Sequence, residues 1–172
     1  IFMAHFKNVV AAQKGNRTLN YADGSQVPSS EVEEMYKHLT INHKDIFGKG
    51  YPGTWTWLNG KFVDNNFETI FGLDSKANFL KHSAPLEDCL NDDCFVNLDF
   101  NSQGLANPNA KSQRQSYLQG ENIYFWKPRN GRVARFNANS DRANLNCDRD
   151  PTGTNPSLGV FGCAEGAGSQ KN

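Results

Sequence analysis

Alternating apolar and polar positions predict strands in the middle of the chain. In the stretch FVNLDF (residues 95–100), Val96, Leu98 and Phe100 alternate with Phe95, Asn97 and Asp99. Phe95 interrupts the polar face, but the length and β-rich content are typical of a strand. Residues 123–126 and 132–136 flank Asn130-Gly131, a dipeptide favoured in tight hairpin turns. We therefore predict at least three strands of an antiparallel sheet between residues 89 and 136.

A second hairpin is predicted upstream, where residues 54–58 (TWTWL) and 61–63 (KFV) flank Asn59-Gly60. Because side chains alternate between the two faces of a strand, Trp55 and Trp57 share one face. Two interpretations stay open: the tryptophans stack on a sugar or base, or they pack on a helix. In the first interpretation, Trp55 and Trp57 are the ligand-contact residues.

Helical spacing of apolar residues marks the start of the chain. Phe2, Phe6, Val9 and Val10 form one apolar stripe. This stripe predicts a helix over residues 1–14, and Gly15 supplies its stop. A second helix is predicted over residues 30–39, which open with a Ser-x-x-Glu capping box. In residues 67–82, Asp74 is the candidate N-cap between two short helical turns.

Length and composition predict one folded domain. The chain has 172 residues, 12% of them aromatic, and 18 basic side chains balance 18 acidic ones. Large aromatic residues provide enough burial to place the chain outside the disordered class. A net charge of zero argues against nucleic acid as a partner, because phosphate binding needs clustered Lys and Arg.

Four cysteines, Cys89, Cys94, Cys147 and Cys163, predict two disulfides and an oxidising compartment. Pairing between neighbours, Cys89 with Cys94 and Cys147 with Cys163, is the simplest of the three connectivities. The second bond would close a loop of about 15 residues and stabilise the fold by about 3 kcal/mol in the chain-entropy model. The other two connectivities remain open.

Hard oxygen ligands near the C-terminus suggest a calcium site at Asp148, Asp150 and Asn155. The alternative is a polar surface turn. Calcium is the only cofactor considered, because the four histidines match no zinc spacing. No nucleophile, phosphate-loop or metalloprotease motif occurs, so we do not predict an enzyme.

The second half of the chain resembles the type IV pilin-like proteins, a family that includes the pseudopilins of type II secretion. The resemblance rests on a cysteine pair, a strand ending in Asp-Phe-Asn, then Asn-Pro-Asn and Gly-Glu-Asn-Ile-Tyr-Phe. The family's motif positions fall on Asp99, Asn101, Gly104, Pro108, Asn109, Gly120, Asn122, Tyr124 and Phe125. The chain departs from the family at Asn122, where an acidic residue is usual.

The resemblance implies an α+β fold in which an N-terminal helix packs on an antiparallel β-sheet, followed by a disulfide-closed C-terminal loop. Residues 1–172 would form one domain. Its parts would be the rest of the N-terminal helix (1–14), a variable region (15–88), the sheet (89–136) and a C-terminal loop and tail (137–172). The residues expected to pack helix on sheet are Phe2, Phe6, Val9, Val10, Val96, Leu98, Ile123 and Phe125. Some pseudopilins bind calcium in the C-terminal loop.

The function implied is that of a structural subunit, a pilin, minor pilin or pseudopilin, of an extracellular or periplasmic filament. Its partners would be other subunits, and a surface receptor or glycan. Membrane contact is expected only through an apolar first half of the helix, which anchors such subunits in the inner membrane before assembly. Because the chain starts at Ile1 inside a helical pattern, we expect that half to have been removed.

Two alternatives come from other functional classes. One is a secreted carbohydrate-binding or adhesin module that uses Trp55, Trp57 and Trp126 as sugar platforms. The other is a small secreted hydrolase, for which the acidic run from Glu87 to Asp93 would have to supply two carboxylates.

Overall fold

Two short helices precede seven strands in the structure, a computed structural model that describes residues 2–40, 54–139 and 141–152. The helices are α1 (Phe2–Gln13) and α2 (Ser29–Thr40). The strands are β1 (Thr54–Val63), β2 (Asn66–Leu73), β3 (Phe79–Pro85), β4 (Cys94–Asn97), β5 (Asn122–Trp126), β6 (Val133–Asn139) and β7 (Arg142–Arg149). Neither helix within these ranges has the length and apolar character that crossing a bilayer requires.

All seven strands join one mixed sheet in the order β3-β2-β1-β6-β7-β5-β4. Every pair is antiparallel except β5 and β7, which run parallel. The predicted fold class, an N-terminal helix on an antiparallel pilin-like sheet with a disulfide-closed C-terminal loop, is therefore wrong. The sheet dominates the described chain and extends on both sides of residues 89–136, because residues 54–85 and 142–149 also add strands.

The predicted hairpin at Asn59-Gly60 is wrong because β1 continues through this dipeptide. The chain reverses instead at Asp64 and Asn65, whose φ angles of 46° and 63° suit a tight hairpin turn. Gly60 is buried, and a Cβ atom there would overlap the Phe67 ring. The glycine therefore makes room for an aromatic ring instead of forming the turn.

The predicted helical turns in residues 67–82 are also wrong, since β2 and β3 form an antiparallel hairpin there. Asp74 caps a turn and not a helix: its Oδ1 accepts hydrogen bonds from the backbone N–H groups of Lys76 and Asn78, both at 2.8 Å. A short acidic side chain satisfies the same geometry in an Asx turn as at a helix start. Local sequence alone does not separate the two.

The predicted pairing of residues 123–126 with 132–136 is wrong because β7 lies between β5 and β6. Strand β7 comes from the region predicted to be a C-terminal loop. Its residues Ala143, Leu145 and Cys147 are almost fully buried. The alternation of small or apolar residues with Asn and Arg that characterises β6 continues across β7 and gives this strand a buried face.

The core lies between α1 and one face of the sheet, which we call the helix side. The rings of Phe2 and Phe6 lie 5.1 Å and 4.8 Å from the ring of Phe136 on β6. Helix α2 packs beside α1 and buries Val32, Tyr36 and Leu39. Of the eight residues expected in the helix–sheet contact, six are buried, and Phe2 and Leu98 pack against them partly exposed.

The predicted disulfide between Cys89 and Cys94 is absent, because both cysteines are free thiols. Cys94 opens β4 opposite Phe125 and is buried on the helix side. Cys147 is also a free thiol, within β7 and at 0% exposure. Its predicted partner, Cys163, lies outside the described residues, and so does Asn155 of the predicted calcium site.

Candidate functional site

The face of the sheet opposite the helices, the outer face, carries one row of polar and aromatic side chains across four strands. Backbone register places each member of the row directly opposite the next: Trp126 on β5, Asn146 on β7, Arg135 on β6 and Trp57 on β1. We call these four residues the outer row. The matching positions on the helix side are Phe125, Leu145, Phe136 and Thr56.

The Asn146 side chain forms hydrogen bonds with residues of β5, β6 and β7. With its amide oriented by its partners, the oxygen accepts hydrogen bonds from Trp126 Nε1 at 3.0 Å and from an Arg149 guanidinium nitrogen at 3.1 Å. Its nitrogen donates to Asn137 Oδ1 at 2.9 Å. Asn146 is 1% exposed, so these bonds satisfy an amide that would otherwise be costly to bury.

Arg135 is the charged centre of the row and is 7% exposed. Its guanidinium carbon lies 5.9 Å from the centre of the Trp57 ring, a cation–π arrangement. Burial lowers the pKa of Arg135 to about 10, and repulsion by Arg149 adds to this effect while Asp148 opposes it. A buried guanidinium group is stabilised by groups that supply negative charge or hydrogen-bond acceptors.

A cavity of about 350 Å³ adjoins the Trp57 end of the row. Trp57 is half-buried and forms part of its wall. Charged side chains from three strands, Lys61, Glu68 and Lys81, line the cavity with Ile70 and Val133. Its size falls in the range of small-molecule sites, and one aromatic wall with a few polar groups is a common composition for them.

Comparison with known proteins gives no relative. No protein-family model, no curated protein and no solved structure matches this chain. The chemistry of the site must therefore be inferred from its own residues.

Three of the residues that carry the family resemblance, Asp99, Gly104 and Gly120, lie against α1. Lys7 Nζ is 3.4 Å from Asp99 Oδ1. A Cβ on Gly104, whose φ is +83°, would contact Met3, and one on Gly120, whose φ is +73°, would lie 3.3 Å from Val10. Both glycines thus combine a left-handed backbone with close approach to the helix.

Two further motif residues organise the loops that hold α1. The side-chain oxygen of Asn101 accepts hydrogen bonds from the backbone N–H groups of Gln103 and Leu105, at 3.1 Å and 3.0 Å. Asn122 is 2% exposed, accepts from the Leu118 N–H at 2.8 Å and donates to the Ser116 carbonyl at 3.0 Å. An amide performs both roles at position 122, whereas an ionised acid only accepts.

The predicted site residues separate in the structure. Trp57 contributes to the outer-face cavity, and Trp126 lies at the other end of the row. Trp55 pairs through its backbone with Asn137, but the prediction that its side chain contacts a ligand lies outside the described part of the structure.

The carboxylates of the predicted calcium site face guanidinium groups. Asp150 Oδ2 is 2.8 Å from Arg132 Nη1, and Asp148 Oδ1 is 3.7 Å from Arg149 Nε. Within residues 2–40, 54–139 and 141–152, no group of three or more His, Cys, Asp or Glu side chains is placed to hold a metal. Because Asn155 lies outside those ranges, the calcium site stays a prediction.

Sequence reasoning missed Arg135 and Asn146. Arg135 and Asn137 alternate with Ala134 and Phe136 in the printed sequence, and this alternation signals a strand with one polar face. It does not reveal that the polar face is buried. That property depends on contacts with the neighbouring strands, which bring Trp57 and Trp126 to the two ends of the row.

Proposed function

We propose that this protein is a structural subunit of a type IV pilus-like or type II secretion-like filament. The proposal rests on the resemblance in the second half of the chain and on one structural observation. The motif residues Asp99, Gly104 and Gly120 all lie against α1. Such an arrangement gives the motif a physical purpose, which is to fix the N-terminal helix on the sheet.

A fixed helix suits a subunit that must transmit load between a filament core and a surface domain. Helix α1 buries Met3, Phe6, Val9 and Val10, while Ala4 and His5 are exposed. In the resembled family, the upstream continuation of this helix is apolar and bundles with its neighbours. The partners would be further subunits of the same filament.

Immunogold labelling tests the proposal in the organism that encodes the protein. An antibody raised against residues 1–172 is expected to label surface or periplasmic filaments, and deletion of the gene should remove the label. The coding sequence upstream is expected to specify about 20 apolar residues, enough for one membrane-spanning helix. A freely secreted monomer with an ordinary cleaved signal peptide would refute the filament proposal.

A variant separates assembly from folding. Ala4→Glu places a charge on the exposed side of α1 and is expected to leave the melting temperature unchanged while reducing filament yield. Glu34→Ala, on an exposed position of α2, is the matched control and should reduce neither. Equal filament yield from both variants would argue against a role for α1 in assembly.

A second candidate function, carbohydrate binding, is favoured by the cavity beside Trp57. An aromatic wall with nearby amide and charged groups suits the apolar face and hydroxyls of a sugar ring. We expect a titration with soluble glycans, monitored by tryptophan fluorescence, to show binding. Trp57→Ala should abolish this binding, and Trp57→Phe should retain part of it. Binding unchanged in Trp57→Ala would exclude this cavity as the sugar site.

A further inference from the structure

One short segment joins the two edges of the sheet and passes over its core. Strands β3 and β4 are the two edge strands, and the chain connects them through residues 86–93. Six strand spacings separate the edges, a span of about 29 Å at 4.8 Å per spacing. Nine steps from Pro85 to Cys94 reach about 31 Å when extended. At this length the segment can cross the sheet only with most of its chain extended.

Contacts at both ends fix the course of this segment. At its start, the Leu86 N–H donates to the Asn65 carbonyl at 2.8 Å, beside the turn between β1 and β2. At its end, Asp93 Oδ1 accepts a hydrogen bond from the Lys127 N–H at 2.9 Å, just beyond β5. The segment consequently passes β6 and β7 in between.

Cys89 occupies the middle of the crossing, three residues after Leu86 and four before Asp93. This position is level with β6 and β7. Cys89 is half-buried and packs against the helix-side core, together with Leu86 and Leu90. Cys147 projects from β7 into the same core and has no exposed surface. The topology thus places two free thiols from positions far apart in the sequence at one core.

Electrostatic coupling between the two thiols agrees with this placement. Burial raises the pKa of Cys147 well above its usual range, and the neighbouring Cys89 and Asp148 raise it further. Burial also raises the pKa of Cys89, with a smaller contribution from Asp88. Both groups are therefore neutral thiols at neutral pH, and their oxidation should accelerate as the pH rises.

We propose that Cys89 and Cys147 form a disulfide that ties the crossing segment to the central strand β7. The oxidant is a small disulfide such as oxidised glutathione. The Cys89 thiolate attacks one glutathione sulfur, forms a mixed disulfide and releases one glutathione thiolate. Cys147 then loses its proton and attacks the Cys89 sulfur, which expels the second glutathione. Two protein thiols are oxidised, and one glutathione disulfide is reduced to two thiols.

This inference does not depend on the filament proposal. The proposed Cys89–Cys147 pair replaces the pairing of cysteines that are neighbours in the sequence, and it follows from the sheet topology. Because such a bond would close a loop of about 60 residues, it should restrict the unfolded chain strongly.

Unreduced peptide mapping tests the bond directly. Reduced protein is incubated with oxidised glutathione, alkylated, and digested with trypsin and an Asp-specific protease, which cuts between Cys89 and Cys94. The expected product joins the Cys89 peptide to peptide 143–147, which ends in Cys147. A link from Cys147 to Cys94 or Cys163, a link from Cys89 to Cys94, a mixed disulfide that persists on Cys89, or thiols that all remain free would overturn the proposal.

Matched variants test the bond through stability. Oxidation is expected to raise the melting temperature by about 10 °C in the wild type. Cys89→Ala should abolish this rise, and it removes a half-buried side chain, so the variant should fold. Cys94→Ala and Cys163→Ala should keep the rise. A rise that persists in Cys89→Ala, or one that disappears in Cys94→Ala, contradicts the proposed pair.

Discussion

At the scale of single residues, Gly60 belongs to a dipeptide typical of turns, but in the structure it makes room for an aromatic ring. The Asn-Gly dipeptide favours a hairpin, yet β1 runs through it and the Phe67 ring occupies the space that a Cβ would take. The rings of Phe67 and Phe62 lie 5.5 Å apart. The Phe67 ring, and with it the contact to Phe62, therefore depends on the absence of a side chain at position 60.

Gly60→Ala is expected to destabilise the protein by about 1–3 kcal/mol, because the new methyl group would overlap the Phe67 ring. Gly72→Ala is the matched control, since its Cβ would make an ordinary contact 3.9 Å from Leu80. Urea unfolding measures both changes. Equal stability of Gly60→Ala and the wild type would show that Phe67 does not need this space.

Asp99 links the motif loop to α1 and makes stability depend on pH. A hydrogen bond from Asn107 lowers the pKa of Asp99, and Lys7 lowers it further. The folded-state pKa lies below the unfolded value, so the stabilisation is present above the unfolded pKa near 3.8 and is lost as the pH falls through the lower, folded value.

We expect Asp99→Asn to weaken the decline in unfolding free energy as the pH falls below about 4. The effect at neutral pH should be small, because the Lys7–Asp99 pair is exposed. Urea unfolding across this pH range provides the measurement. An acid limb identical to that of the wild type would contradict the assigned role of Asp99.

At the scale of elements, α1 is held by a narrow apolar stripe. Residues Met3, Phe6, Val9 and Val10 are at most 3% exposed, which agrees with the helical spacing seen in the sequence. Packing of this kind, more than intrinsic propensity, stabilises a helix of 12 residues. Within this interface, the ring of Phe6 lies 4.8 Å from the ring of Phe136.

Phe6→Ala is expected to destabilise the protein by about 3–5 kcal/mol, because it removes a buried ring and leaves a cavity. His5→Ala, one position away and exposed, is the control and should change stability by less than about 0.5 kcal/mol. Thermal and urea unfolding report both values. A change below about 1 kcal/mol for Phe6→Ala would mean that α1 contributes little to the core.

At the scale of the whole molecule, Asp93 holds the far end of the segment that joins the two sheet edges. Its carboxylate accepts a hydrogen bond from the Lys127 N–H at 2.9 Å and contacts Arg129 Nη2 at 3.1 Å. Its carbonyl accepts from the Tyr124 hydroxyl at 3.2 Å. These bonds attach β4 and the crossing segment to the end of β5.

Asp93→Ala is expected to cost about 1–3 kcal/mol, because it leaves the partly buried Lys127 N–H without its acceptor. Amide exchange should accelerate most in residues 86–97. Asp92→Ala removes an exposed ion pair with Lys111 and should cost at most about 1 kcal/mol. If Asp92→Ala and Asp93→Ala behave alike, the carboxylate of Asp93 does not anchor the crossing.

Local sequence determined the elements that are marked by a periodic pattern within a single segment. Helices α1 and α2 follow from apolar spacing and a capping box, and strands β4, β5 and β6 fall within or beside the stretches that alternation indicates. These features depend on periodicity within one element, and that periodicity is visible in the sequence.

Only the tertiary structure decided which strands pair and which side chains meet. The placement of β7 between β5 and β6 joins Trp126, Asn146, Arg135 and Trp57 into one row. The same topology carries Cys89 across the sheet to Cys147. The physical reason is that alternative strand pairings compete, and the outcome depends on how much of each whole sheet face is buried. No local sequence pattern encodes that outcome.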